Sequence, residues 1–319
     1  MHDTLVAIGE ALIDFIPHTT GCTFHQVEAF FPAVGGAPAN VCGAFATLGG
    51  RAKMITQLGD DPFGHKILTE LSGYGVDTSC ICLTNQANTA LAFVSLSDDG
   101  NRTFSFYRNP SADMLFSQEQ LRDDWFRHIY ALHFCSVSLG DFPMGKAHIP
   151  AIHAARAHGG LISFDPNLRF PLWKDAQSLH DAVQNHLPLA DILKISDEEL
   201  EFITGTADIR AALPQLFTGH VKLVIYTCGS HGAYAFTRNA EAFSPALPVE
   251  ATDTTGAGDG FIGAFLYKLK ELGVYAHTLE QVTVHMLQQC LDFSNLFCAI
   301  SVQAKGALPS YPTMDALLK

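Results

Sequence analysis

The stretch 252-TDTTGAGDGFIGAFL-266 sets a loop almost bare of side chains directly before an apolar helical run, with one acid, Asp259, at the junction. A helix starting near Gly256 or Ala257 presents unpaired amide N–H groups and the positive end of its dipole. Glycines there let an anion approach the backbone, which a Cβ would block. Such a turn suits the charge of a transferring phosphoryl group, and an aspartate just inside it can accept the proton of an attacking hydroxyl. The plainer alternative is an acid that merely favours a helix N-terminus. The spacing is neither G-x-x-x-x-G-K-[ST] nor G-x-G-x-x-G, so a P-loop and a dinucleotide fingerprint are both absent.

The 319 residues exceed the usual size of one compact domain, and one large α/β domain with an appendage accommodates them. Hydrophobic residues make up 48% and charged residues 16%, enough for a sizeable core. A formal charge of −13 speaks against a nucleic-acid groove or an anionic membrane surface, though not against a local basic pocket. No run approaches a membrane span, and the first apolar segment carries Glu10 and Asp14, unlike a signal peptide. The eight scattered cysteines form no C-x-x-C and read as reduced thiols of a cytoplasmic protein. His148, His153 and His158 recur every five residues, which spreads them around a helix and reads as surface histidines rather than a metal site.

Outward from the opening stretch, short apolar runs alternate with helical patterns. Strands are expected at Leu5–Ile8, Lys53–Leu58, Ala131–Phe134, Leu161–Asp165, Ile192–Ile195 and Leu223–Thr227. Helices are expected at Ala37–Leu48, Gly64–Gly73, Ile149–His158, Asp197–Thr204 and Gly258–Leu272. That order predicts a mostly parallel sheet covered by helices on both faces, with ligands at the carboxyl ends of the strands. Thr19–Phe31 and Thr89–Tyr107 break the pattern and read as extended, the latter around the turn DDGN. They predict a small antiparallel sheet, either a lid formed by about residues 15–33 and 88–108 or ordinary edge strands. No linker divides residues 1–319.

A second glycine motif, 35-GGAPAN-40, opens another helix far upstream. Gly35 and Gly36 permit close backbone approach, and Asn40 offers a donor and an acceptor to a hydroxylated ligand. A packing turn with a satisfied Asn reads equally well from these residues alone. The two glycine motifs in this order, with Gly49 and Gly59 between them, resemble the ribokinase-like (PfkB-type) carbohydrate kinase family over essentially the whole chain. Cys42 stands where that family usually has a small Ser, Thr or Ala.

Within the family, 9-GEALIDF-15, 107-YRNPSADMLF-116 and 165-DPNLR-169 are most similar to fructokinases. The resemblance implies a three-layer α/β/α fold and transfer of the ATP γ-phosphoryl group to a sugar, with fructose 6-phosphate as product. It implies Asp259 as general base and the amides of Gly256, Ala257 and Gly258 as anion hole. Asp14, Gly35, Gly36 and Asn40 fall where sugar hydroxyls bind, and Arg108 and Arg169 are expected to face the cleft. 194-KISDEEL-200 resembles the family's N-x-x-E segment with Ser196 in place of Asn, which gives Glu199 to Mg²⁺ through water and Lys194 to a phosphate. An exposed helix-face glutamate is the alternative for Glu199. In 226-YTCGSHGAY-234, Thr227, Gly229 and Gly232 match nucleotide contacts, and Asn295 matches the helix beside adenine. A K⁺ site at Asp253, Thr255, Ser301, Ala304, Gly306 and Ser310 follows from the resemblance alone, as does a homodimer through the lid. A 2-keto-3-deoxygluconate or nucleoside kinase of this family remains an alternative, as does a sugar or nucleotide sensor, although a sensor has no use for a general base.

Overall fold

In the computed structural model, which describes residues 2–18, 21, 24–96 and 102–318, the alternation of strand and helix produces two sheets. The strands are β1 Thr4–Ile8, β2 Leu12–Pro17, β3 Phe30–Gly35, β4 Arg51–Gly59, β5 Val76–Asp77, β6 Ile81–Thr84, β7 Leu91–Leu96, β8 Arg102–Tyr107, β9 Ile129–Cys135, β10 Leu161–Asp165, β11 Ile192–Ser196, β12 Leu223–Thr227, β13 Ala233–Phe236 and β14 Glu241–Ser244. The longer helices are α1 Ala37–Thr47, α2 Pro62–Gly73, α3 Pro143–Ala157, α4 Ala176–His186, α5 Asp197–Thr204, α6 Ile209–Leu216, α7 Ala257–Glu271 and α8 Val284–Ser301. The large sheet runs β14-β13-β12-β11-β10-β9-β1-β4-β5, with β6 also on β4. All its pairings are parallel except the antiparallel edge made by β12, β13 and β14.

Strand alternation sorts the core into two layers. Leu5 and Ala7 face α1, α7 and α8, packing with Phe45, Phe265 and Leu291. Val6 and Ile8 face the opposite layer, with Met144 of α3, Leu179 of α4 and Leu200 of α5. Local signals set the helix ends, and α2 and α3 start earlier than the expected Gly64 and Ile149, at Pro62 and Pro143. Asp61 caps α2 by accepting from the amides of Phe63 and Gly64, with Pro62 in the first turn, and Gly205 closes α5 in a left-handed conformation.

The small sheet has the order β3-β2-β7-β8. Its pairs β2–β3 and β7–β8 are antiparallel, and β2 joins β7 in parallel. Asp14 lies inside β2, and Phe24–Gln26 forms a 3₁₀ turn where an extended run was expected. The turn DDGN lies outside the described residues.

His148 is not a surface residue. It sits on α3 with 0% exposure, its Nδ1 against the Met144 carbonyl oxygen at 2.8 Å. Burial holds it down at about 3, and holds His133 of β9 at about 3 as well. The unfolded chain protonates each near 6.5 while the native chain stays neutral until about 3, so acid favours unfolding across that window. His148→Leu is therefore expected to shrink the loss of stability between pH 7 and pH 5 by about 2 kcal/mol relative to wild type in urea titrations, the comparison cancelling every other titrating group. An unchanged slope would mean that His148 is already solvated in the native state.

Candidate active site

The loop before α7 requires glycine for two physical reasons. Gly256 caps α7 at φ 71°, and a Cβ there would lie 2.4 Å from the Ala307 Cβ. The Tyr311 hydroxyl donates to the Gly256 carbonyl oxygen at 2.8 Å and holds the turn. The Ala257 amide donates to the Thr254 carbonyl oxygen at 3.2 Å, whereas the amides of Gly256 and Gly258 on either side of it have no backbone partner among the described residues. Of the three amides expected as an anion hole, the middle one thus closes the turn and the outer two stay without a backbone partner. A Cβ on Gly258 would stand 3.2 Å from the Lys194 Nζ, so its absence leaves room between loop and ammonium.

Asp259, in the first turn of α7, is 8% exposed. Its Oδ2 accepts from the Asn40 Nδ2 at 2.9 Å and its Oδ1 from the Asn167 Nδ2 at 3.2 Å. Burial pushes its carboxyl above the usual range, opposed by the Asn40 amide and by the charges of Lys194 and Arg169. Lys194, at the end of β11, donates to the Asp165 Oδ2 at 2.9 Å. Burial works against the Lys194 charge, but the carboxylates of Asp165, Glu199 and Asp259 outweigh it and hold the ammonium protonated. Burial lifts Asp165 to about 7, and its Oδ1 has no partner.

Two cavities meet at this point. The first, about 340 Å³, lies under the small sheet and is lined by Asp14, Gly36, Asn40, Phe106, Asn167, Arg169 and Asp259. The second, about 490 Å³, is lined by Thr227, Gly229, Gly232, Asn295 and an apolar wall of Leu247, Val249 and Phe261. Lys194, Ser196, Glu198, Ala257 and Gly258 line both. Most of the sugar-, phosphate- and nucleotide-side candidates from the sequence thus line two cavities that share a wall at the carboxyl ends of the strands, where open parallel sheets bind ligands.

Gly35 and Arg108 do not line the cleft. At Gly35 a Cβ would fall 2.0 Å from the Asp14 Oδ2, so the glycine makes space for that carboxylate. Gly35→Ala is expected to displace Asp14 and raise the KM of the hydroxylated substrate about tenfold with little change in kcat, since one charged hydrogen bond is at stake. An unchanged KM would show that Asp14 does not bind it. Arg108 is 8% exposed and turned inward. Its Nε and Nη2 donate to the Asp113 Oδ2 at 2.8 and 2.5 Å, and its Nη1 to the Val137 carbonyl oxygen at 3.0 Å. A buried guanidinium with its donors already committed is held behind the cavity, not in it.

Glu199 is likewise buried rather than an exposed helix-face acid. Its Oε2 accepts from the Ser196 amide at 2.9 Å, closing a capping box on α5, and its Oε1 from the Leu168 amide at 2.8 Å. It lines the first cavity beside Glu198, a carboxylate pair at the junction that suits a hard cation keeping its waters. Asn295 of α8 donates to the Ser244 and Pro245 carbonyl oxygens at 3.0 and 3.2 Å, so it clips the wall of the second cavity to that helix.

Asp253 ties the last candidate set together. Its Oδ1 accepts from the Thr255 amide at 2.9 Å and its Oδ2 from the Gly306 amide at 2.8 Å, while Ser301 and Ser310 share a 2.7 Å hydroxyl contact. Segments 252–255 and 301–310 thus lie side by side, with Ala304 in the turn that follows Ser301. Among the described residues no group of three His, Cys, Asp or Glu side chains could hold a metal, so these segments offer only carbonyl, hydroxyl and single-carboxylate oxygens, a set suited to an alkali cation.

Several lining residues escaped the sequence reading. Asn167 sits in the quoted DPNLR, where only Arg169 drew notice, and lines the first cavity; a polar residue two positions after a strand end was the available signal. Glu10 stood in GEALIDF and now lines the first cavity, its Oε2 accepting from the Ser138 hydroxyl at 2.7 Å. Leu247 and Val249 carried no signal, being ordinary apolar residues in a loop.

Comparison with known proteins places this geometry. A sequence profile described as pfkB family carbohydrate kinase matches residues 2–314. The chain is 40% identical over 310 residues to "Probable fructokinase-5" of Arabidopsis thaliana, covering 97% of this chain and 94% of that protein. It superimposes on the fructokinase with bound ATP from Xylella fastidiosa with TM-score 0.89 and 34% identity, covering 100% of this chain and 98% of the other. The fructokinase from Vibrio cholerae O395 in fructose, ADP and calcium ion bound form gives TM-score 0.87 and 32% identity over 99% of this chain and 98% of that one. A double mutant of the same enzyme binds fructose, ADP and potassium ion.

Proposed function

The chain belongs to the pfkB family of carbohydrate kinases, and from that membership we propose that it transfers the γ-phosphoryl group of ATP to the primary hydroxyl of D-fructose, giving fructose 6-phosphate and ADP. The observation that carries this reading is the position of Asp259, a buried carboxylate at the start of α7 where the two cavities meet. The sugar occupies the cavity under the small sheet and the nucleotide the one walled by Leu247 and Val249. Asp259 takes the proton of the attacking hydroxyl, and the Gly256 and Gly258 amides with the Lys194 ammonium face the charge that develops on the phosphoryl group. Asp14 accepts from sugar hydroxyls, as does the Asn40 Oδ1, which is buried without a partner. Glu198 and Glu199 would hold Mg²⁺ through water, which when bound screens the phosphate oxygens. Segments 252–255 and 301–310 would hold K⁺ beside the turn that shapes the anion hole.

Fructose is favoured over a sugar acid by the state of Arg108. With the Arg108 guanidinium bound to Asp113, Arg169 is the one arginine among the described residues that lines the first cavity and could pair a substrate carboxylate bidentately. The small sheet (β2, β3, β7 and β8) serves as a lid, and its exposed Phe31 and Tyr107, at 58% and 61%, support pairing with a second copy. No helix of the described residues is long and apolar enough to cross a membrane, and seven described cysteines are free, which supports a cytoplasmic setting.

ATP consumption with fructose, ribose, 2-keto-3-deoxygluconate, adenosine and fructose 6-phosphate, each with and without K⁺, tests the reading. The highest kcat/KM is expected with fructose. A higher value with the sugar acid or the nucleoside would replace fructose as substrate, and no turnover with any of them would leave a sensor.

A further inference from the structure

Asn167 is the second residue after β10, and its backbone takes φ 45°, in the left-handed region that few residues other than glycine adopt. Asn is among the side chains that tolerate it. The turn buries Asn167 to 8% exposure and brings its Nδ2 to 3.2 Å from the Asp259 Oδ1, while Asn40 donates to the Oδ2 at 2.9 Å. Each oxygen of the carboxylate therefore receives one amide N–H, from opposite sides of the fold, and the plane of the group is set by two contacts rather than one. The neighbouring residues of the same segment are anchored too, Asp165 to Lys194 at 2.9 Å and the Leu168 amide to Glu199 at 2.8 Å.

We infer that Asn167 is a positioning residue that fixes the orientation of the Asp259 carboxylate and stabilises its ionised form. This rests on the reading of Asp259 as general base. The charged and titratable groups that act on Asp259 from the elements around it are Lys194, Arg169, Glu199, Asp165, Cys135 and Tyr311, and none of them holds the Oδ1. A base misaligned by a fraction of an ångström loses much of its effect, so the second amide matters to turnover rather than to binding.

The test compares Asn167→Gly, which keeps the left-handed turn and removes the amide, with Asn167→Asp, which keeps the shape and replaces the donor by a charge. ADP affinity measured by calorimetry reports that each variant is folded. Asn167→Gly is expected to lower kcat roughly 10- to 100-fold with the KM for fructose within about threefold. The acid limb of its kcat profile should move upward by up to about one pH unit, and further in Asn167→Asp, because losing a donor and gaining a like charge both disfavour the ionised base. An unmoved acid limb in both variants, or a raised KM with unchanged kcat, overturns the assignment and leaves Asn167 a packing or sugar-binding residue. Asp259→Asn is run beside them. If it keeps wild-type turnover the base itself is wrong, whereas an inactive Asp259→Asn with unaffected Asn167 variants removes only Asn167.

Discussion

Asp259→Asn is expected to reduce kcat by about three to four orders of magnitude while the dissociation constant for fructose changes little. Asp259 is a buried carboxylate in the first turn of α7, beside the residues that line both cavities, and burial raises its proton affinity, which suits a group proposed to take a proton from an attacking hydroxyl. The amide that replaces it has the same shape but no basic lone pair. It can still receive one of the two N–H groups that now converge on Asp259, and Asn40 can turn its amide to offer the Oδ1, so the sugar side of the cavity survives. Steady-state kinetics with fructose and calorimetric sugar binding check both halves. Turnover within tenfold of wild type would remove Asp259 as the base.

Lys194→Met is the second large effect, and it divides into two measurable parts. The first is catalytic. An ammonium facing the bare Gly258 is in position to meet the phosphoryl charge, and removing one such donor lowers kcat by about 10²- to 10³-fold. The second is structural, because Asp165 at 0% exposure loses its only ion-pair partner among the described residues. Breaking a buried pair from one side costs about 3–5 kcal/mol. The native Asp165 already holds its proton to about 7, well above an unfolded aspartate, so the native state binds more protons and rising pH weakens it. Without Lys194 that weakening extends to higher pH, and the urea midpoint of the variant should fall further behind wild type at pH 8 than at pH 6. Adding Asp165→Asn removes the unpaired charge, so the double variant regains stability but not activity. If it regained both, Lys194 would serve the fold alone.

How far the site was legible depended on how locally each feature is encoded. The strands Leu161–Asp165 and Leu223–Thr227 and the helix Asp197–Thr204 were readable to the residue, because each is a short apolar or capped run bounded by its own turn signals. Helix α4 passed unnoticed because AQSLHDAVQNH carries few large apolar residues, and only packing against the sheet shows which face is buried. The extended reading of residues 24–26 failed for a related reason, since alternation over a few residues does not separate a strand from a tight turn. Arg108 was expected in the cleft from the family resemblance and its place at the end of the lid segment. Its direction is set by Asp113 and by the Val137 carbonyl oxygen, and the latter comes from the segment after β9.

By itself the sequence determined the alternating α/β architecture, the glycine loop at α7 and the acid behind it, because backbone permissiveness and residue period are local properties. Only the tertiary structure decided which amides stay open at that loop, which arginine reaches the cavity, and that Asp259 is held between Asn40 and Asn167. Those contacts join residues 219 and 92 positions apart. Hydrogen bonds at such separation depend on how the layers pack, and nothing in the local pattern of either partner encodes them.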